Sequence, residues 1–166
     1  MKIGIIGYGV VGKAAEKTFS KKFDIIKYDK YMDLDDFESL NKSDLVFIMV
    51  PTPFDCKNDK VDDSAVVESL DRLKKMNFSN IVVIKSTLPP GSCSRYMQKF
   101  NLKIVFNPEF LRESTTPNED FENQDTIVIG TESKSDFVSV KTMYQGVAVK
   151  DARYFLTSQS EAEMIK

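Results

Sequence analysis

Histidine is absent from this chain of 166 residues, and cysteine occurs only twice, at Cys56 and Cys93. The first absence excludes histidine-based catalytic triads and histidine metal sites, so no metal is expected. Two cysteines are too few for a disulfide framework, which makes a reducing cytoplasm the natural setting. No apolar run approaches the roughly 20 residues that a membrane-spanning helix needs. An excess of basic charge is missing too: a net charge of −2 and a pI near 5.3 argue against a general nucleic-acid binder. What remains is ordinary for a globular protein, with 42% hydrophobic and 29% charged residues. The length suggests one domain able to bury a proper core. The start, Met1-Lys2-Ile3-Gly4-Ile5, runs straight into a strand pattern, so no signal peptide is expected.

Short apolar runs recur along the chain at Ile3–Ile6, Phe23–Tyr28, Leu45–Val50, Ile81–Ile84, Leu102–Phe106 and Thr126–Ile129. Their richness in Val and Ile fits strands covered on both faces. Between them, Ala65, Val66, Leu70, Leu73 and Met76 keep helical spacing, with Asp62, Asp63 and Ser64 ahead of them as N-cap candidates. Val138, Met143 and Tyr144 fall in another helical stretch. Such alternation predicts an α/β fold, a Rossmann-like doubly wound and mostly parallel sheet with helices on both faces. From about Thr157 the sequence reads as the capped start of a helix that ends at Lys166, as in a fragment or a natural truncation.

Gly7-Tyr8-Gly9-Val10-Val11-Gly12 matches G-x-G-x-x-G, directly after the first strand and at the opening of a helix. Gly7 permits the tight turn, Gly9 lets a pyrophosphate approach the backbone, and Gly12 allows close helix–strand packing. The helix N-terminus then offers unpaired N–H groups to the phosphates. Asp29 closes the second run, 20 residues after Gly9. A carboxylate there accepts from a ribose 2′-hydroxyl and repels a 2′-phosphate, which favours NAD over NADP. Lys30 beside it either touches the ribose or is solvated. Val50-Pro51-Thr52-Pro53 follows the third run and Lys85-Ser86-Thr87-Leu88-Pro89-Pro90-Gly91 the fourth. Prolines there stop the strands and fix the loops. The hydroxyls of Thr52 and Thr87 then either reach a ribose or a bound water, or are incidental to two rigid turns.

Residues 107 to 113 read Asn-Pro-Glu-Phe-Leu-Arg-Glu. Asn107 suits an N-cap and Pro108 a first helical position, which predicts a short helical turn with Glu109 and Glu113 on one face. Like charges at that spacing cost about 0.2–0.5 kcal/mol in an exposed helix. The segment is therefore either a capped turn with solvated charges or one wall of a site at a strand end.

These pieces, together with the closing Glu-Ala-Glu-Met-Ile-Lys, occur in this order in one family. The chain resembles the N-terminal NAD-binding domain of the UDP-glucose/GDP-mannose dehydrogenases, from Met1 to Lys166. The resemblance implies residues 1–156 as the NAD-binding domain and 157–166 as the start of a central, dimer-forming helix, with the substrate domain absent. It implies a two-step oxidation of a sugar nucleotide's C6 alcohol to a carboxylate with NAD, on a substrate of the UDP-glucose or GDP-mannose type. In the family, a cysteine of the missing part carries the thiohemiacetal and thioester. By position, Thr87 corresponds to the threonine contacting cofactor and catalytic water, and Glu109 to the general base for that water. Phe110, Leu111 and Arg112 correspond to the substrate-lining loop, and Glu113 to a glutamate near the nicotinamide. Lys166 corresponds to the lysine that stabilises oxyanions at C6.

Two departures stand out. Only residues 30 to 44 join the second and third strands, a shorter excursion than the family usually carries, and neither cysteine matches the family nucleophile. The expectation is thus the NAD-binding part of a sugar-nucleotide 6-dehydrogenase, incomplete alone. The alternative is a stand-alone NAD-binding module without chemistry. Another β-hydroxyacid-type dehydrogenase would leave Asn107–Glu113 unexplained.

Overall fold

In the computed structural model, which describes all 166 residues, the six apolar runs become strands. They are β1 (Lys2–Ile6), β2 (Asp24–Tyr28), β3 (Leu45–Ile48), β6 (Ile81–Ile84), β7 (Lys103–Phe106) and β8 (Thr126–Gly130). A seventh sheet strand, β9 (Arg153–Thr157), and a small hairpin, β4 (Phe54–Asp55) with β5 (Lys60–Val61), were not anticipated. β9 carries Arg153, Tyr154 and exposed Phe155 and Leu156, so it has no buried apolar run to mark it.

The sheet order is β2-β1-β3-β6-β7-β8-β9. The first five strands pair in parallel, β8 pairs antiparallel with β7, and β9 is parallel to β8. Every residue of β3 and β6 is buried, because helices cover both faces. On one face Val46, Ile48, Val82 and Ile84 pack under α2 (Ser64–Lys75), α3 (Ser92–Phe100) and a 3-10 helix (Phe37–Lys42). On the other, Ile3, Ile5, Phe47 and Val83 pack under α1 (Val10–Phe19), α4 (Pro117–Glu122) and α5 (Lys134–Gln145). The alternation of side chains along each strand sends neighbours to opposite cores.

The helix expected over Ala65–Met76 is α2, and Asp62 rather than the N-cap Asp63 supplies the side-chain acceptor, for Ser64 N–H at 3.0 Å. The capped start after Thr157 is α6 (Gln159–Ile165), where Ser158 and Glu161 form a reciprocal capping box. The helical turn expected at Asn107–Glu113 does not form. Asn107 turns its side chain into the interior, and Glu109 folds back onto its own loop, accepting from Phe110 N–H at 2.9 Å and Leu111 N–H at 3.2 Å. Those amides are thereby satisfied without a helix, and the next helix, α4, starts at Pro117.

Chain reversal at β1 fixes where a ligand fits. From β1 the chain runs to β2 on one side, then crosses back to β3 on the other, leaving a crevice beyond the carboxyl ends of β1 and β3. Ladder bonds continue past the strand ends, Met49 N–H to Ile6, Lys85 N–H to Ile48 and Asn107 N–H to Ile84. They stack three strand-end loops on the crevice rim.

Candidate functional site

Two cavities of about 350 and 450 Å³ meet in this crevice, sharing Gly9, Met49, Val50 and Pro51 as their common wall. The larger lies over the glycine turn, and the smaller runs towards Lys85 and Glu109.

Gly7 adopts φ +93°, a conformation that favours glycine. A Cβ on Gly12 would lie 2.1 Å from the Gly7 carbonyl oxygen, so α1 can approach the turn only because that side chain is missing. Gly9 differs, since a Cβ there would meet nothing within 4 Å. That open space lies before the first turn of α1, whose N–H groups receive no side-chain cap. Asp29 is anchored under the turn, accepting from Tyr8 N–H at 2.8 Å and Tyr31 N–H at 2.9 Å, and each oxygen retains a lone pair for a hydroxyl. Uncapped amides, clearance at Gly9 and a fixed carboxylate in one cleft fit a dinucleotide's pyrophosphate and ribose.

Lys30 is held by Glu68, with Nζ 2.8 and 3.0 Å from the two carboxylate oxygens. Arg72, beside them in the larger cavity, stacks its guanidinium 3.7 Å from the Phe37 ring centroid and donates to Tyr28 Oη at 2.6 Å. Sequence reading missed Glu68, Arg72 and Phe37. The spacing of Glu68 and Arg72 on α2 was the available signal, but only the tertiary packing of α2 brings it over β2.

In the middle, two loops are stitched together: Ser86 Oγ donates to Val50 O at 2.7 Å and Thr52 Oγ1 to Thr87 O at 2.8 Å. Thr52 thus spends its proton on the neighbouring loop, while exposed Thr87 lines the smaller cavity. Val10, Val11, Leu111 and Glu113 line it too.

At the far end a buried charged network forms. Lys85 has no exposed side-chain surface, and its Nζ lies 3.0 Å from Glu109 Oε2. It also donates to Asn107 Oδ1 at 2.9 Å and Tyr144 Oη at 3.3 Å. Tyr144 Oη donates to Asn107 Oδ1 at 2.6 Å, and Asn107 Nδ2 to Val128 O at 2.7 Å. Burial pulls the Lys85 ammonium down, but the charge of Glu109 and the Tyr144 hydroxyl outweigh it and hold Lys85 above its ordinary value. Burial likewise pushes the Tyr144 phenol up to about 12. Glu109 is 6% exposed, and its Oε2 makes no hydrogen bond of proper geometry despite the ion pair. Lys166 Nζ donates to the Glu109 carbonyl and sits 5.9 Å from the Phe110 ring centroid. Burial, with Lys85 adding to it, lowers the Lys166 pKa.

Of the residues anticipated from sequence, Gly7, Gly9, Val10, Val11, Asp29, Lys30, Pro51, Thr52, Thr87, Glu109, Leu111, Glu113 and Lys166 all line the two joined cavities. Gly12 packs behind them. Phe110 is exposed outside, and Arg112 is turned onto Asp120, donating from Nε at 2.9 Å and Nη2 at 2.8 Å. That paired guanidinium holds Asp120 well below the usual carboxylate range and pins the loop rather than lining the cleft. Lys85 and Tyr144 were missed as site members. A lysine closing a wholly apolar run was the visible sign for Lys85; nothing local marked Tyr144.

Neither thiol belongs to the cleft. Cys56 is exposed, next to the β4–β5 hairpin. Cys93 is buried at the start of α3, where burial and then the Glu163 carboxylate push its pKa up. The helix N-terminus does not activate it, because Glu163 already accepts from Cys93 N–H at 2.8 Å and Gly91 N–H at 2.5 Å.

Residues 27–148 match the NAD binding domain of the UDP-glucose/GDP-mannose dehydrogenase family. The UDP-glucose 6-dehydrogenase of Rickettsia bellii is 36% identical over 135 residues, covering 78% of this chain and 31% of that protein. The enzyme of the same name from Campylobacter jejuni is 27% identical across the whole chain, which spans 51% of it. Among solved structures, a GDP-mannose dehydrogenase from Pseudomonas aeruginosa superposes with a TM-score of 0.84 at 23% identity, over 100% of this chain and 48% of that one. The last likeness carries the fold alone. The chain spans just under a third of the length of the Rickettsia relative, and about half of the other two.

Proposed function

The chain belongs to the UDP-glucose/GDP-mannose dehydrogenase family, whose NAD-binding domain it carries, and on that premise we propose that it is the cofactor-holding half of a sugar-nucleotide 6-dehydrogenase. When bound, NAD would supply a hydride acceptor for oxidation at C6 of the sugar. The residues of this chain orient and manage protons around that event. The glycine turn and α1 would hold the pyrophosphate of NAD, and Asp29 its ribose. Thr87 and Glu109 would hold the water that hydrolyses the thioester, releasing the carboxylate and the thiol, with Glu109 taking a proton from that water. The Lys166 ammonium faces the oxygen on C6 where negative charge gathers.

The observation that carries this reading is Glu109 Oε2: buried, ion-paired to Lys85 and short of a hydrogen bond, in the cavity that joins the glycine turn. A buried carboxylate oxygen with an unfilled acceptor site is poised for a water or hydroxyl. NAD binding alone would not call for it. The thiol that forms the covalent intermediate would come from the part of the protein beyond this chain, since Cys56 and Cys93 stand outside the cleft. In this reading, residues 1–156 are the NAD-binding unit and 157–166 begin the central helix on which the family's dimers are built. Two unpaired thiols agree with a cytoplasmic setting; no helix is long and apolar enough to cross a membrane.

Calorimetric titration with NAD, followed by NADH absorbance with UDP-glucose or GDP-mannose, tests the proposal. NAD should bind, and the chain alone should give no sustained turnover. Sustained turnover would overturn the incompleteness, and absence of NAD binding would overturn the whole reading. The second reading is a non-catalytic NAD module, because neither Cys56 nor Cys93 lines the cleft. It predicts that adding the relatives' C-terminal half restores no activity.

A further inference from the structure

We infer that Lys85 is a positioning residue for Glu109: its buried ammonium fixes Oε2 towards the cleft, where that oxygen accepts from water. The inference rests on the reading of Glu109 as the proton acceptor.

Geometry carries the case. A carboxylate with 6% exposure would ordinarily shed its charge by binding a proton, because desolvation disfavours the anion. Here Lys85 Nζ stands 3.0 Å from Oε2 and has no exposed surface of its own. Its other partners, Asn107 Oδ1 and Tyr144 Oη, hold it from two further elements, and Phe121 lies 5.3 Å away to its ring centroid. The ammonium is therefore anchored independently of the glutamate it faces. Glu109 Oε1 is occupied by the Phe110 and Leu111 amides, which leaves Oε2 as the oxygen free to accept. The charged and titratable groups around Glu109 are Lys85 at the end of β6, Tyr144 on α5, Lys166 after α6 and Glu113 on its own loop, with Glu119 and Asp120 of α4 and Asp125 beyond it across a second cavity. Lys85 alone combines full burial with direct contact to Oε2. Lys166 reaches the Glu109 carbonyl instead.

The division of labour follows. Lys166 reaches the backbone of Glu109 and lines the cleft, whereas Lys85 is the cation that meets the carboxylate. An acceptor held in this way needs no reorganisation when a water arrives.

The test is a pH titration of the 166-residue chain by 13C NMR, reading the Glu109 carboxyl, assigned through Glu109→Gln. In Lys85→Met the midpoint of that carboxyl should lie about one unit or more above its midpoint in the natural chain. An unchanged midpoint would overturn the inference. Should Lys85→Met fail to fold, the reciprocal measurement decides: the Lys85 Cε signal in Glu109→Gln should titrate at least about one unit lower than in the natural chain. A Lys85 titration indifferent to Glu109→Gln would equally overturn it. Neither readout involves NAD or sugar nucleotide, so failure of the proposed oxidation, read by NAD binding and NADH formation, remains a separate result.

Discussion

The Gly7–Gly12 end of the cleft is built from backbone amides and one carboxylate, Asp29, all within residues 7 to 29. The Glu109 end is built from side chains delivered by the end of β6, the loop after β7, α5 and the residue after α6. The first end works by omission: missing side chains open the space at Gly9 and allow the close approach at Gly12. The second works by compensation, because every buried charge there needs a partner from elsewhere in the chain. An omission can be encoded locally, and compensation cannot. The two ends should accordingly fail in different ways when altered.

The largest effect is expected from Glu109→Leu, which leaves the Lys85 ammonium buried without its counter-ion. A loss of about 3–5 kcal/mol in urea unfolding is expected. The double variant Lys85→Met with Glu109→Leu should regain much of it, and no recovery would break the compensation account. At the other end, Gly12→Ala forces a methyl into the Gly7 carbonyl and should cost about 3 kcal/mol, the upper end for overpacking. Cofactor binding would be lost with it.

Alkali probes the charged end next. The Tyr144 pKa is raised by burial from 10.0 to about 12, so the folded protein holds this proton more tightly than the unfolded chain. The associated stability is present below pH 10 and falls as pH climbs towards 12, by about 2–3 kcal/mol at most. Tyr144→Phe should flatten that decline; an equally steep fall in the variant would assign it to other groups.

Smaller still, Gly9→Ala should leave the unfolding midpoint unchanged, since its Cβ meets nothing, yet weaken NAD binding roughly tenfold, or about 1.4 kcal/mol. Equal losses at Gly9 and Gly12 would erase the distinction between a glycine for the ligand and a glycine for packing. Arg112→Ala is expected to do least. Its guanidinium depresses the Asp120 pKa, so the stability it lends is present above the ordinary carboxylate value of 3.8 and lost as pH falls. The variant should unfold at a slightly higher pH on acidification and bind NAD normally.

The sequence by itself determined the sheet-forming runs, the glycine turn, the acid at Asp29 and the capped start of α6. Each of these rests on a local cause: alternation of buried side chains, absent Cβ atoms, or a cap three residues from its partner. Even there the limits of locality show. β9 went unseen because its outward side chains are apolar and its buried pattern is incomplete. The order Asn107-Pro108 reads as a helix start, and the tertiary structure overrules it. Asn107 is worth more as a bridge between Lys85, Tyr144 and Val128 than as a cap for a turn of four or five residues. Only the fold decided that Lys85 would face Glu109, that Arg112 would be taken by Asp120, and that Lys166 would return to the Glu109 loop across 57 residues. Such pairings are set by which elements pack together, and burial then makes them obligatory, because a charge removed from water must find its partner inside.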